Sequence, residues 1–210
     1  PISILSAVEG LNVIFPKLPI LPIGVTILVL LFSFQRFGTD IVGKTFGPVM
    51  FVWFTVIALL GIHQILQHPE IMKAINPFYG IHLLIKYPGG FWILGAVFLC
   101  TTGAEALYAD LGHCGKLNIR FSWTFVWICL LLNYFGQGAW LLDKKGTIME
   151  DVSIFYAIVP KTILPLIIAL ATVATIIASQ ALISGCFTLV NEAIKLRLWI
   201  NHKVTYPSSH

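Results

Sequence analysis

Long apolar runs alternate with short polar stretches along the whole chain. Because about 20 apolar residues cross a bilayer, charge-free windows mark the interiors of membrane-spanning helices. The charge-free windows are residues 18–35, 45–62, 87–104, 121–142 and 162–191, and they predict five helices at about 18–35, 45–62, 87–112 (broken near 101–104), 121–142 and 162–194. Residues 1–16 are typical of the last part of a sixth helix, so we expect the chain to be a piece of a longer protein.

The composition agrees with a membrane protein. Of 210 residues, 58% are hydrophobic and 10% are charged, with a mean hydropathy of +0.90, whereas soluble domains are about 45–50% apolar and about 25% charged. The net charge of +4 is scattered rather than clustered, which argues against a nucleic-acid partner. The four cysteines are widely spaced without a Cys-x-x-Cys pair, so neither a disulfide framework nor a zinc site is expected.

Charged residues in the connecting stretches predict the orientation. With six alternating helices, one side of the membrane receives seven basic residues: Arg36, Lys44, Lys116, Arg120, Lys195, Arg197 and Lys203. The other side receives six, spread over longer and partly acidic loops: Lys17, Lys73, Lys86, Lys144, Lys145 and Lys161. Cytoplasmic loops carry the excess of Lys and Arg, so the first set is assigned to the cytoplasm. On the other side, Pro69 and Pro77 bracket a short helix that we expect on the membrane surface.

The stretch LCTTGAEALYAD, Leu99 to Asp110, contains polar groups that are costly in hydrocarbon. A carboxylate at the bilayer centre costs about 2.5–3.5 kcal/mol on insertion scales. Gly103 weakens a helix, and transporters use such mid-membrane breaks to expose carbonyls to cations. Thr102, beside Thr101, adds a hydroxyl oxygen, and Glu105 lies three residues further along the same helical face. A Thr–Gly packing contact with a glutamate that reaches the interface remains the alternative.

Further polar residues lie inside the apolar windows. LNYFGQGAW carries Asn133 and Gln137, and the last window carries Gln180 after a stripe of small residues at Ala171, Thr175 and Ser179. Small residues at this spacing let helices approach closely, so packing accounts for most of the stripe. The side chains that could instead line a wet pathway are Tyr108, Asp110, Asn133, Gln137 and Gln180. Asp110-x-x-His113-Cys114 is read as an interfacial hydrogen-bonded cap rather than a metal site.

Several stretches resemble one family. PISILSAVEGL, FQRFGTDIVGKTFGPVMFVWF, TTGAEALYADLGHCGKLNIRFSW, LLNYFGQGAWLL and TVATIIASQALISGCFTLVNEAIKL are similar, in order, to the Kup/HAK/KT family of potassium uptake transporters. The resemblance implies an all-α polytopic membrane protein that forms part of a two-inverted-repeat, LeuT-like transporter fold of the amino acid–polyamine–cation superfamily. It places the chain from the end of the third helix through the eighth, with TTGAE at the break of the sixth.

The resemblance also implies a function: potassium uptake across the cytoplasmic membrane by potassium/proton symport with alternating access. Potassium would bind at Thr102, Thr101 and Gly103, and Glu105 would couple the proton. The implied partners are the potassium ion, the proton, the lipid bilayer and the missing N- and C-terminal parts of the same chain, with a homodimer as a candidate assembly and with no cofactor. The family's Gly-Asp and Tyr motif of the first helix would lie upstream of Pro1.

Two functions of other classes remain as alternatives. A potassium channel-like pore needs a continuous filter such as rings of backbone carbonyls, and no Thr-Val-Gly-Tyr-Gly stretch occurs. A non-transporting membrane scaffold has no need for polar groups inside the membrane. An enzyme is not expected, since the chain has no Ser-His-Asp arrangement, phosphate-binding glycine loop or His-Glu-x-x-His motif.

Overall fold

Helices make up the ordered secondary structure of the computed structural model, which describes residues 19–34, 40–100, 116–144, 146, 153–198 and 200. In chain order they are α1 (Ile20–Phe34), α2 (Asp40–Gln67), a 3-10 helix (Pro69–Ile75), α3 (Pro77–Lys86), α4 (Gly90–Cys100), α5 (Lys116–Asp143), α6 (Ile154–Ala157) and α7 (Leu164–Lys195). No strand occurs in these ranges. The predicted all-α class is therefore confirmed, whereas the two-inverted-repeat arrangement stays a prediction.

Three helices in the described ranges are long and apolar enough to cross a membrane: Phe46–Gln67, Leu117–Asp143 and Leu164–Lys195. They correspond to the predicted helices 45–62, 121–142 and 162–194. The predicted helices 18–35 and 87–112 are described over 15 and 11 helical residues, next to ranges outside the description. The helix predicted for residues 1–16 lies wholly outside it.

The helices extend beyond the charge-free windows that predicted them. Here α2 begins at Asp40 and ends at Gln67, and α5 begins at Lys116 and ends at Asp143. At about 1.5 Å per residue, the 28 residues of α5 span about 42 Å, more than the hydrocarbon core of about 30 Å. A charge-free window detects only the part of a helix inside hydrocarbon, because charged side chains beyond it reach water.

The segment between Pro69 and Lys86 is more helical than predicted. Each proline begins a helix, the 3-10 helix at Pro69 and α3 at Pro77, since the missing N–H of a proline costs nothing in the first turn. Asn76 separates the two, and its Oδ1 accepts a hydrogen bond of 3.0 Å from the N–H of Phe78. The predicted position of this segment on the membrane surface stays a prediction.

Contacts among residues divide the chain into two units, residues 1–57 with 148–210 and residues 58–147. In the first unit, α7 contributes a buried apolar stripe, and the residues before α7 contribute a buried tyrosine, isoleucine and valine. These residues are Ile167, Ile168, Ala171, Ala174, Ile177, Tyr156, Ile158 and Val159. The rings of Trp53 on α2 and Phe155 on α6 lie 5.6 Å apart, so aromatic packing joins α6 to α2 within this unit.

In the second unit, α2 and α5 meet backbone to backbone at Gly61 and Gly136. An ideal Cβ on Gly61 would overlap the carbonyl of Leu132 and lie 2.9 Å from the backbone nitrogen of Asn133. A Cβ on Gly136 would overlap the Cα of Gly61 and lie 2.8 Å from its carbonyl oxygen. Only glycine fits at these two positions, and small residues allow the same close approach between membrane helices in general.

Contacts between residues that follow Gly61 and Gly136 show that α2 and α5 run in the same direction. Beyond the glycine contact, the Nε2 atom of His68 lies 3.9 Å from the Oδ1 atom of Asp143. A Cβ on Gly138 would lie 3.0 Å from the Cδ1 atom of Ile71 in the 3-10 helix. Higher residue numbers on one helix thus face higher numbers on the other.

A Schellman motif ends α7. The N–H of Leu198 donates to the carbonyl of Ala193 at 2.9 Å, and the N–H of Arg197 donates to that of Ile194 at 3.0 Å. Arg197 occupies the left-handed position with φ of 59°, where glycine is more usual. The two bonds satisfy carbonyls that a helix end otherwise leaves unpaired.

The contact between Gly61 and Gly136 predicts that alanine at either position lowers the stability of the protein more than alanine elsewhere on α2. Gly61→Ala and Gly136→Ala each introduce a Cβ into opposing backbone, and we expect each to destabilise the protein by about 1–3 kcal/mol, as overpacking does. The measurement is the melting temperature of the purified protein in detergent. Gly47→Ala, also on α2, is the matched control because no described atom lies within 4 Å of its Cβ position. Melting temperatures equal to that of the Gly47 control would contradict the close contact.

Candidate functional site

The predicted ion-binding and proton-coupling residues lie outside the described residues. They are Thr101, Thr102, Gly103 and Glu105, together with the pathway candidates Tyr108 and Asp110. The structure describes the helix that leads to them, α4, up to Cys100. Their roles and the helix break at TTGAE therefore stay predictions. The remaining three candidates, Asn133, Gln137 and Gln180, are described.

Asn133 and Gln137 lie on α5 beside the glycine contact. Asn133 is 7% exposed, and its backbone nitrogen faces Gly61. Gln137 follows Gly136 and is half-buried. Asn133 shares a buried stripe with Cys129, Gly136 and Ala139, at the spacing of one helical face. The face of α5 that packs inside this unit therefore carries an amide among small residues.

Gln64 on α2 is a buried amide that the sequence reasoning missed. It lies one turn after Gly61 and is 8% exposed. The charge-free window ends at Ile62, so the sequence alone places Gln64 in a connecting loop. The signal that could have found it was its spacing, since Gly61 and Gln64 are three residues apart and such residues share a helical face. Gln64 and Asn133 thus border the glycine contact, one on each helix.

Two buried amide oxygens have no hydrogen-bond partner within the part of the chain that the structure describes. They are Oδ1 of Asn133 and Oε1 of Gln180. A buried polar atom without a partner costs about 1–3 kcal/mol, and such atoms are rare in native proteins. Both are oxygens, which accept hydrogen bonds or bind cations. Each amide can therefore receive a donor or a cation that the described side chains do not supply.

Gln180 lies in the other unit, on α7. It is 7% exposed, and Ser179 beside it is 8% exposed. Two threonines of the same helix bond to their own backbone: Thr172 donates to the carbonyl of Ile168 and Thr175 to that of Thr172, each at 2.8 Å. Ala171 and Ser179 of the predicted small-residue stripe are buried and Thr175 is half-buried. This pattern indicates that the stripe serves helix packing. Gln180 is the buried amide next to it.

Charged groups of the second unit collect where α2 and α5 end. The Nζ atom of Lys144 lies 3.2 Å from Oδ2 of Asp143, and His68 approaches the other oxygen of that carboxylate at 3.9 Å. These side chains are one-third to one-half exposed, so the pairs contribute little to stability. Within the described ranges no group of three His, Cys, Asp or Glu residues could hold a metal ion. Among the described residues of this unit, the buried polar side chains are the neutral amides of Gln64 and Asn133.

Comparisons with known proteins give one consistent result. The family model described as the K+ potassium transporter integral membrane domain matches residues 1–210. The chain is 54% identical to a "Probable potassium transport system protein Kup" of Cytophaga hutchinsonii, over 99% of the chain and 32% of that protein. It is 51% identical to the protein of the same name in Flavobacterium psychrophilum, over 99% of the chain and 33% of that protein.

A more distant relative shows the same match. The "Probable potassium transport system protein Kup" of Enterococcus faecalis is 47% identical, over 100% of the chain and 33% of that protein. The chain thus spans about a third of the length of these curated relatives. No solved structure matches the chain. The family match over all 210 residues, together with the three apolar membrane-spanning helices, shows that this chain belongs to the K+ potassium transporter integral membrane domain family.

Proposed function

We propose that the protein containing this chain takes up potassium ions across the cytoplasmic membrane. The observation that carries the proposal is the family match over residues 1–210, with relatives named potassium transport system proteins at about 50% identity. The chain spans only a third of those relatives, so the activity belongs to the whole protein. This chain contributes membrane-spanning helices and polar residues inside them.

The packing of α2 and α5 supports a multi-span transporter topology. Two parallel neighbours need an odd number of membrane crossings between them. The predicted helix 87–112, of which α4 is the described first part, supplies one such crossing. The two-inverted-repeat fold with a broken sixth helix is part of this proposal, since the resemblance places its break at TTGAE, directly after α4.

The buried polar atoms support an oxygen-lined path. A potassium ion that leaves water needs oxygens to replace its hydration shell, and neutral carbonyl oxygens serve this purpose in selective pores. The described buried amides of the second unit are Gln64 and Asn133. Thr102, Thr101 and the carbonyls near Gly103 are proposed to add the main ion ligands. An inward-directed potential favours entry by about 2.3 kcal/mol per charge per 100 mV.

Proton coupling is assigned to Glu105. Desolvation favours the neutral form of a carboxyl group, whereas a nearby cation favours the charged form. In symport the proton and the potassium ion cross in the same direction, so this glutamate takes up a proton from outside and releases it to the cytoplasm when the site opens inward. Carrying the proton together with potassium, combined with alternating access to the two sides, gives potassium/proton symport.

The ion-ligand role of Thr102 predicts a loss of affinity. Thr102→Val in the whole protein keeps the side-chain shape and removes the hydroxyl, so we expect the KM for potassium uptake to rise about tenfold. Uptake is measured in cells that lack their own potassium transporters, with the amount of protein determined in parallel. Thr26→Val is the control, because the Thr26 hydroxyl is exposed and already donates to the carbonyl of Pro22 at 2.8 Å. A KM equal to that of this control would exclude Thr102 as a ligand.

The coupling role of Glu105 predicts a changed pH dependence. Glu105→Gln keeps the size of the side chain but cannot titrate, so we expect uptake to fall at least tenfold and to become independent of external pH. Rates are measured from about pH 5.5 to 8. Glu192→Gln, at an exposed glutamate paired with Lys195 at 2.8 Å, should keep the parental profile. A parental rate and profile in the Glu105→Gln variant would refute the coupling role.

The orientation predicts opposite accessibility for the two ends of α5. In a cysteine-free background, a cysteine at Lys116 should react with an impermeant maleimide from the cytoplasmic side only. A cysteine at Lys144 should react from outside, and so should one at Lys73 in the 3-10 helix, because α2 and α5 run in the same direction. Labelling is scored by the mass shift on a gel. Reaction of the Lys73 and Lys144 positions from opposite sides would refute the parallel arrangement.

A further inference from the structure

Asn133 combines three observations that no other described side chain unites. It is more than nine-tenths buried, and its Oδ1 atom has no partner among the described residues. Its backbone nitrogen lies at the position where α2 approaches α5, 2.9 Å from the Cβ position of Gly61. The two glycines therefore hold the Asn133 side chain at the contact between the helices. The described residues donate no hydrogen bond to its Oδ1 atom.

The orphaned atom is an oxygen, and this determines the kind of ligand. An amide oxygen accepts hydrogen bonds and coordinates cations, whereas an anion would need the amide nitrogen or a cationic side chain. Among the described residues no basic side chain is buried, so none replaces the missing donor. The oxygen can therefore receive a hydrogen-bond donor or a cation, and the proposed transport of potassium supplies the cation.

If position 133 served packing alone, an apolar residue would suit it better than asparagine. Replacing a buried polar group by an apolar one of the same shape is close to neutral or stabilising, because the orphaned atom is removed. The amide also has only two side-chain torsions, so fixing the backbone at the glycine contact restricts where its oxygen lies. These properties describe a preorganised ligand with no net charge.

We propose that the Oδ1 atom of Asn133 coordinates the transported potassium ion during its passage. This inference rests on the proposed function of potassium uptake. A neutral oxygen binds the ion weakly enough to release it, as conduction and transport require. The contact between Gly61 and Gly136 positions this ligand.

The test uses the whole transporter with rubidium as the tracer for potassium. Asn133→Leu keeps the branching at Cγ and removes the oxygen, so the KM for rubidium uptake should rise at least tenfold while the amount of folded protein is unchanged. Asn133→Asp keeps an oxygen at the same position and adds a negative charge, so its KM should not rise above the parental value. Thr124→Val is the matched control on α5, because the exposed Thr124 hydroxyl donates to the carbonyl of Arg120 at 2.8 Å.

A second readout separates ligand binding from folding. A bound ion stabilises the native state by an amount that grows with the ratio of its concentration to its Kd, so KCl should raise the melting temperature of the parental protein and of the Asn133→Asp variant more than NaCl does. This potassium-specific increase should be lost in the Asn133→Leu variant. If Asn133→Leu does not accumulate, Asn133→Ala carries the same expectations for both readouts.

The outcomes distinguish this inference from the proposed function. Parental KM and parental KCl stabilisation in the Asn133→Leu or Asn133→Ala variant would overturn the role of Asn133 and leave potassium uptake in place. A lower melting temperature with an unchanged KM would also overturn it, since it would show that the amide serves packing or a structural water. Absence of rubidium uptake by the parental protein would contradict the proposed function itself.

Discussion

The backbone contact between Gly61 and Gly136 is the constraint on which the second unit depends. Inside a membrane no hydrophobic effect draws helices together, so their association relies on close packing and on polar contacts. Two glycines provide the closest approach that helices allow, since a Cβ at either position would overlap the opposing backbone. This contact holds α2 and α5 side by side and parallel. Beyond it, Ile71 of the 3-10 helix packs against Gly138 of α5.

The same contact accounts for the buried amides. Gln64 and Asn133 lie one turn from the glycines, on the faces that the two helices turn toward each other, and both are less than a tenth exposed. Burial of polar groups is costly unless they find partners, and the oxygen of Asn133 has none in the described part of the chain. Close packing thus creates a position where an oxygen is shielded from lipid and remains free to accept a ligand.

The polar chemistry of the described helices is neutral throughout the membrane interior. Charged pairs, such as Asp143 with Lys144, lie where helices end, whereas amides and hydroxyls lie within them. Hydroxyls such as those of Thr172 and Thr175 are satisfied by their own helix, so they are compatible with lipid or with packing. The amide oxygens of Asn133 and Gln180 are not satisfied in this way by the described residues.

The amino-acid sequence by itself determined that the chain spans a membrane, where α2, α5 and α7 lie, and to which family the chain is similar. Whether a segment partitions into hydrocarbon depends on the composition of about 20 consecutive residues, so it can be read from the sequence alone. Family motifs are likewise short stretches of sequence. The sequence did not reveal the helix ends, the second helix from Pro77 to Lys86, or the burial of Gln64. Only the tertiary structure decided which faces meet, because the contact of Gly61 with Gly136 joins positions far apart in the chain. The unpartnered oxygen of Asn133 follows from that contact, since whether a polar atom is satisfied depends on every neighbour that packing brings to it.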